Sequence, residues 1–350
     1  MARRLQSNAV ARGQRSVSKN TMKHQPLIVA FLILVLGHTS PLRAQTDEVK
    51  LDTAQARITT VSAMRARKAP QVTAEEVMRL KLGTVVNAIA RSITQDTIGG
   101  KSDYWYRINL PNSETGWLFG GLLQDYTPTR RQQLVREIIE ARLKVENTDF
   151  ADRQEIYNLA ASSVTESKNV STRAEFELLK ILATGNSAIA VFYEQRDRSP
   201  YREWLKAHAA ELDYNEFAGG YQLRSDALWN LERKYHNLPI GDRIAWEAAE
   251  TLPPSDCEGD EVCHLFLSEG EIKYLSLYPQ GAHAAEALKN LAEVISDEVI
   301  KFANGKGGDK YAVEQRTDLR KLLASLRVVV AKTTAPEKNE LIKKLERVRR

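Results

Sequence analysis

The chain has 350 residues, 43% of them hydrophobic and 27% charged, with 50 Lys+Arg, 45 Asp+Glu and two cysteines. That length accommodates roughly two domains, and the ordinary composition excludes a wholly disordered, collagen-like or disulfide-packed chain. The formal charge of +5 and a pI near 9.0 would favour an anionic partner if the positive charge lay on the working part of the protein.

It lies at the N-terminus. Residues 1–44 contain Arg3, Arg4, Arg12, Arg15, Lys19, Lys23 and Arg43 and no Asp or Glu, so the remainder holds 43 basic against 45 acidic residues, a net of −2. Leu27–Gly37 (LIVAFLILVLG) is an uncharged run of 11 residues. A transmembrane helix needs about 20. A basic segment, a short apolar run and the small Ala44 make a secretory signal peptide cleaved after Ala44. Leu42 is bulkier than such sites prefer, and Met22-Lys23 would be a more usual start. The expected protein is exported, periplasmic or secreted. It has no stable membrane span after cleavage, and no cysteine near the cleavage site for lipid attachment.

No nucleic-acid partner is expected, because no later stretch combines a sustained basic run with interleaved aromatics. The C-terminal Lys343, Lys344, Arg347, Arg349 and Arg350 share a helical pattern with Glu340 and Glu346, and read as a solvated helix end.

After a short linker at 45–55, residues 56–127 are predicted to be β-structure. Ala56–Val61 is rich in β-branched residues. Leu80–Val86 passes through a glycine turn into a second strand. Tyr104–Leu110 alternates large and polar residues up to Pro111-Asn112, and Glu114–Phe119 follows before Gly120-Gly121. Short strands with closely spaced turn signals predict a small barrel.

This segment resembles the bacterial SH3 domain, the SH3b family of exported proteins. Met64-Arg65-Ala66-Arg67-Lys68-Ala69-Pro70 matches the family's Leu-Asn-Val-Arg-Ser-Gly-Pro. Val77–Val86 matches the next strand–turn–strand. Trp105-Tyr106-Arg107-Ile108 matches Trp-Tyr-x-Val, and Gly116-Trp117-Leu118 matches Gly-Trp-Val, before a short last strand near Leu122-Leu123. The sequence departs from the pattern twice: Ala69 replaces a glycine, and Ser92–Asp103 makes an unusually long loop. The resemblance implies noncatalytic recognition of peptidoglycan or of an envelope protein or peptide. The candidate ligand-binding residues are Tyr104, Trp105, Tyr106, Trp117 and Phe119. Alternation sends some of these inward to fill the barrel and leaves one or two outward on a shallow platform.

Residues 128–350 show helical spacing and no strand-like alternation. Helices are expected at 132–145, 149–162, 201–212, 225–235, 242–251, 262–277, 282–302, 311–331 and 337–349. A further helix starts from an N-cap at Ser171-Thr172 with Glu175 as its capping carboxylate. Tyr274–Gly281 (YLSLYPQG) precedes the Ala-rich Ala284, Ala285, Ala287, and Tyr235…Pro239…Gly241 is a weaker upstream echo. These resemble the helix–turn–helix joints of tetratricopeptide repeats within about 225–302. An irregular helical bundle is the alternative. The fold class expected is multidomain β + α: a small SH3-like β-barrel followed by an all-α helical domain.

Cys257 and Cys263 form an even pair in an exported chain and predict a disulfide. Asp256, Glu258, Asp260, Glu261 and His264 crowd the same loop, but their spacing matches neither a zinc nor a calcium motif, and free thiols are the third option. No cofactor is expected. No HExxH, GxSxG or phosphate-binding glycine loop occurs. The expected function is that of a binding or scaffold protein of the cell envelope. The competing readings are a cell-wall hydrolase with an unrecognised site, and a purely structural envelope protein.

Overall fold

The structure, a computed structural model, describes residues 48–110, 114–146, 148–253, 257, 260–308 and 310–349. The expected signal peptide at 1–44, with the expected cleavage after Ala44, lies outside the described residues. Those described belong to one unit, 46–350.

Residues 48–125 form the strands β1 (Glu48–Thr59), β2 (Met64–Arg67), β3 (Glu76–Leu80), β4 (Val85–Ile98), β5 (Lys101–Asn109), β6 (Thr115–Phe119) and β7 (Leu123–Asp125). Every pairing is antiparallel, and the order across the sheet is β3-β2-β6-β5-β4-β1-β7. The last strand therefore returns to lie beside the first.

Two expectations are corrected here. The supposed linker is strand from Glu48 onward, with Glu48 opposite Ser92 and Lys50 opposite Ala90. The supposed long loop Ser92–Asp103 is the tip of a continuous β4–β5 hairpin, with Ile98 opposite Lys101. Its two-residue turn is Gly99-Gly100, at φ 57° and 77°. Both residues of a type I′ turn occupy this left-handed region, which glycine enters without steric cost. Apart from Ile93 and Ile98 the arm is polar or glycine, so it shows none of the alternation that marks a half-buried strand.

One face of the sheet buries Met64, Leu80, Val86, Tyr106, Ile108 and Leu118. At its other end Ile58 and Leu82 share a core with Ile138, Ile139, Ile156 and Phe176 of α1 (Arg131–Leu143), α2 (Phe150–Glu166) and α3 (Val170–Ala188). Glu155 of α2 accepts the Leu82 N–H at 2.8 Å. The β region is thus seated on the first helices by apolar packing and by a directed hydrogen bond.

The chain continues through α4 (Tyr201–Ala207), β8 (Leu212–Asn215), β9 (Gly220–Leu223), α5 (Ser225–Tyr235), α6 (Ile240–Glu250), α7 (Glu261–Leu267), α8 (Glu269–Leu277), α9 (Ala284–Val294), α10 (Asp297–Asn304), α11 (Lys310–Ala331) and α12 (Lys338–Glu346). The β8–β9 hairpin corrects the all-helical expectation, and the helix expected at 201–212 stops at Ala207. Two long expected helices are each divided. The 262–277 stretch breaks at Ser268 into α7 and α8. The 282–302 stretch breaks where the Ser296 hydroxyl accepts the Val299 N–H and caps α10. A serine side chain competes with the helix ladder in this way. The cap of α3 is Asn169, which accepts the N–H groups of Ser171 and Thr172, two residues before the expected position.

From α5 onward one apolar core runs through the helices. Cations close its helix ends. Arg316 and Arg320 donate to the Phe302 and Ala303 carbonyls at the end of α10, and Arg327 donates to Leu345 and Val348 at the end of α12. Lys344 reaches the Ala292 carbonyl, and Arg347 pairs with Asp297 at 2.8 Å. Of the C-terminal basic cluster, Lys344 thus sits at the carbonyl end of α9, where a cation complements the dipole, and Arg347 is held by an ion pair to the first residue of α10.

Candidate functional site

The five aromatics proposed for ligand binding do not form an open platform. Trp105, Trp117 and Phe119 are 3% exposed and Tyr106 is 7%. Strand register explains the division. Trp105 lies opposite Phe119 and Tyr106 opposite Leu118, so the two pairs face opposite sides of the sheet. Tyr106 joins the inner core, where burial raises its phenol pKa. Trp105, Trp117 and Phe119 make a separate aromatic cluster on the other side, covered by Ile98 and Leu122. Trp105 and Phe119 meet edge-on at 5.7 Å, and the Trp105 indole N–H donates to Asp96 Oδ2 at 2.6 Å. The hairpin arm that sequence reading treated as a loop supplies both Asp96 and Ile98. Tyr104 is half-buried with the Arg91 guanidinium 4.0 Å above its ring, and Arg57 covers Tyr106 in the same way at 4.1 Å.

An open feature of the β region is a cleft of about 240 Å³ lined by Leu80, Thr84, Val85, Val86, Asn87, Ile108, Asn109 and Leu110. Its floor is apolar, and Asn87 and Asn109 stand exposed at its margin. Leu80 ends β3, which has a sheet neighbour on one side only.

Cys257 and Cys263 are joined as a disulfide, with Cα atoms 5.6 Å apart. Asp260, inside this loop, accepts the N–H groups of Val262 and Cys263 and so caps α7. Glu261 bonds the Ser296 hydroxyl. Asp256 and Glu258 lie outside the described residues. Among the described residues no three His, Cys, Asp or Glu side chains are grouped to hold a metal.

Two titratable clusters occupy the helical part. His208 is buried between Trp204 and Tyr157, with Nδ1 2.7 Å from Glu211. That hydrogen bond holds the Glu211 carboxyl below its ordinary range despite burial. Glu271 of α8 is 7% exposed, and its Oε1 accepts the Asn290 amide at 2.7 Å. Burial, with the carboxylates of Glu250 and Glu286 adding to it, pushes its pKa up to about 7.

Sequence reasoning missed a further aromatic group. Phe192, Tyr193, Tyr214, Phe217 and Tyr221 collect around the β8–β9 hairpin, and Phe192 pairs with Gly220 as an extra antiparallel bridge. The available signal was Asn215 and Gly219-Gly220 between two tyrosines, a hairpin pattern hidden by the brevity of each strand.

No family model, curated protein or solved structure matches this chain.

Proposed function

We propose that the protein is an exported, noncatalytic binding protein of the bacterial envelope. Its β region is read as an SH3b-type module that takes an extended peptide, either a peptidoglycan stem peptide or a segment of an envelope protein. The observation that carries this reading is the cleft beside β3: an apolar floor with two exposed carboxamides, next to a strand edge that can pair with an incoming chain. The return of β7 to lie beside β1 is in keeping with an SH3-type layout, and β3 remains an edge strand. The leader favours export, and the Cys257–Cys263 bridge is of the kind that persists in oxidising compartments. The α5–α6 and α8–α9 pairs carry the two Tyr…Pro…Gly joints, which favours tetratricopeptide-like hairpins as a second protein-binding surface.

The recognition chemistry is division of labour. The backbone of the β3 edge supplies hydrogen bonds without regard to sequence. The apolar floor selects side chains, and Asn87 and Asn109 orient polar groups. The seating of β1 and the Leu82 loop on α1–α3 holds the cleft in one orientation toward the helices, so ordering costs at binding are small.

The test is retention of the chain from Gln45 on purified peptidoglycan, followed by zymography. Retention that falls on combining Asn87→Ala with Asn109→Ala, without a lytic band, is expected. A lytic band would replace the reading with a hydrolase. Failure of retention would remove peptidoglycan and leave a protein partner.

A further inference from the structure

The β8–β9 hairpin exposes aromatic surface that the folded chain does not need. Phe192 is 63% exposed and Phe217 66%, with Tyr193 at 46%. Beside them three phenol rings form a row: Tyr193 lies 5.8 Å from Tyr214, and Tyr214 lies 5.2 Å from Tyr221. Tyr214 and Tyr221 are directly opposite each other in the hairpin and so share one face. The Arg196 guanidinium stacks on Tyr193 at 3.9 Å. Further along the same two strands Leu212 and Leu223 are buried. The hairpin is therefore anchored at one end and presents rings at the other.

The surroundings narrow the occupant. Near the rings Arg196 pairs with Asp197, Arg202 with Glu203 and Arg224 with Asp213, while the exposed Glu194 and Glu216, next in sequence to Tyr193 and Phe217, and the exposed Arg198 make the rim mixed and slightly acidic. Little net field is left to draw a phosphate, a nucleic acid or an anionic membrane. A stable protein–protein contact buries about 800 Å² per partner, more than three exposed rings present. A small, uncharged ligand with apolar faces and a polar rim fits what remains. Aromatic faces suit it, because they bury contact area at low side-chain entropy cost.

We propose that this hairpin is a carbohydrate-binding site for the pyranose rings of a neutral glycan. Phe192, Phe217 and Tyr193 take the C–H faces of the sugar, and the tyrosine hydroxyls bond its rim. The site is separate from the β3 cleft and does not depend on the peptide reading.

The experiment is calorimetric titration of the chain from Gln45 with two neutral probes, chitotetraose and cellotetraose, compared with the variant carrying Phe192→Ser and Phe217→Ser. Both residues are exposed, and unchanged thermal unfolding of the variant verifies its fold. Saturable binding of at least one sugar, weakened about tenfold or more in the variant, is expected. Retained binding in the folded variant overturns the proposal, as does absence of binding to both sugars. Asn87→Ala with Asn109→Ala serves as the separating control. Loss of sugar binding there, with binding intact in the hairpin variant, would place the sugar in the cleft and overturn the proposal. Sedimentation equilibrium covers the remaining occupant: a dimer abolished by the hairpin substitutions would assign the rings to a second copy of the chain.

Discussion

The Tyr274 hydroxyl donates to Asp242 Oδ1 at 2.6 Å, and the other oxygen of Asp242 accepts the Ala282 N–H at 2.8 Å. The same hydroxyl accepts the His283 N–H at 3.0 Å. Asp242 lies in the first turn of α6, just after the first Tyr…Pro…Gly segment, while Ala282 and His283 close the second. The two joints are thus bolted to each other through one buried phenol. A parallel bond joins Tyr278 to Glu232 at 2.8 Å. Burial and these carboxylates push both phenol pKa values well above the ordinary range, so the phenols remain protonated donors.

Tyr274→Phe keeps the ring and removes the bolt, leaving Asp242 Oδ1 and the His283 N–H without their partner. The expected loss is about 1–3 kcal/mol in urea unfolding. A midpoint unchanged from wild type would show that the network contributes nothing.

Gly281 fits against this network with no room for a side chain. A Cβ there would lie 2.5 Å from Asp242 Oδ1 and 2.9 Å from the Tyr278 Cβ, and would collide with the Tyr274 hydroxyl. Gly281→Ala is expected to cost about 1–3 kcal/mol through forced displacement of packed groups. Thermal unfolding of the variant would measure it, and a neutral effect would contradict the packing.

Glu271 makes stability depend on pH. Its folded pKa of about 7 stands above the ordinary 4.5. Between those values the folded chain keeps a proton that the unfolded chain has released. Stability is therefore highest below pH 4.5 as far as this group is concerned, falls as pH rises toward 7, and is flat above it. Glu271→Gln can still accept from Asn290 and carries no charge. It is expected to flatten the dependence and to raise stability at pH 8 by at most about 3 kcal/mol. Urea titrations at pH 5 and pH 8 would reveal the effect, and parallel pH profiles for variant and wild type would refute it.

The Cys257–Cys263 bridge closes a short loop onto the first turn of α7. Cys257→Ser with Cys263→Ser is expected to lose about 2 kcal/mol on the chain-entropy account. Equal midpoints for oxidised and reduced wild type in denaturant would contradict this.

The buried Trp117 predicts a stability phenotype rather than a binding one. Trp117→Ala should cost about 3–5 kcal/mol, as truncation of a large core aromatic does. If the variant unfolds like wild type but loses retention on peptidoglycan, Trp117 belongs to a ligand surface after all.

The local features were legible in the chain itself. Glycine turns, β-branched runs and helical apolar spacing are set by backbone and side-chain preferences within a few residues, so β followed by α and the Cys257–Cys263 pair could be read. The charge of +5 resolved along the chain into a basic N-terminal segment and a nearly neutral remainder in the same way. The β4–β5 arm was missed because Ile93 and Ile98 are too few among its polar residues to show alternation, and the β8–β9 hairpin because four residues are too few to show a period.

Exposure was decided by tertiary structure alone. Alternation predicts that Trp105 and Tyr106 face opposite sides of a sheet. It does not say that the arm carrying Asp96 and Ile98 folds over the outer side and buries Trp105, Trp117 and Phe119. Nor does local sequence tell that Phe192 and Phe217, on separate segments, are left uncovered at one hairpin. The identity of a side chain is local, but its burial depends on what the rest of the chain brings over it.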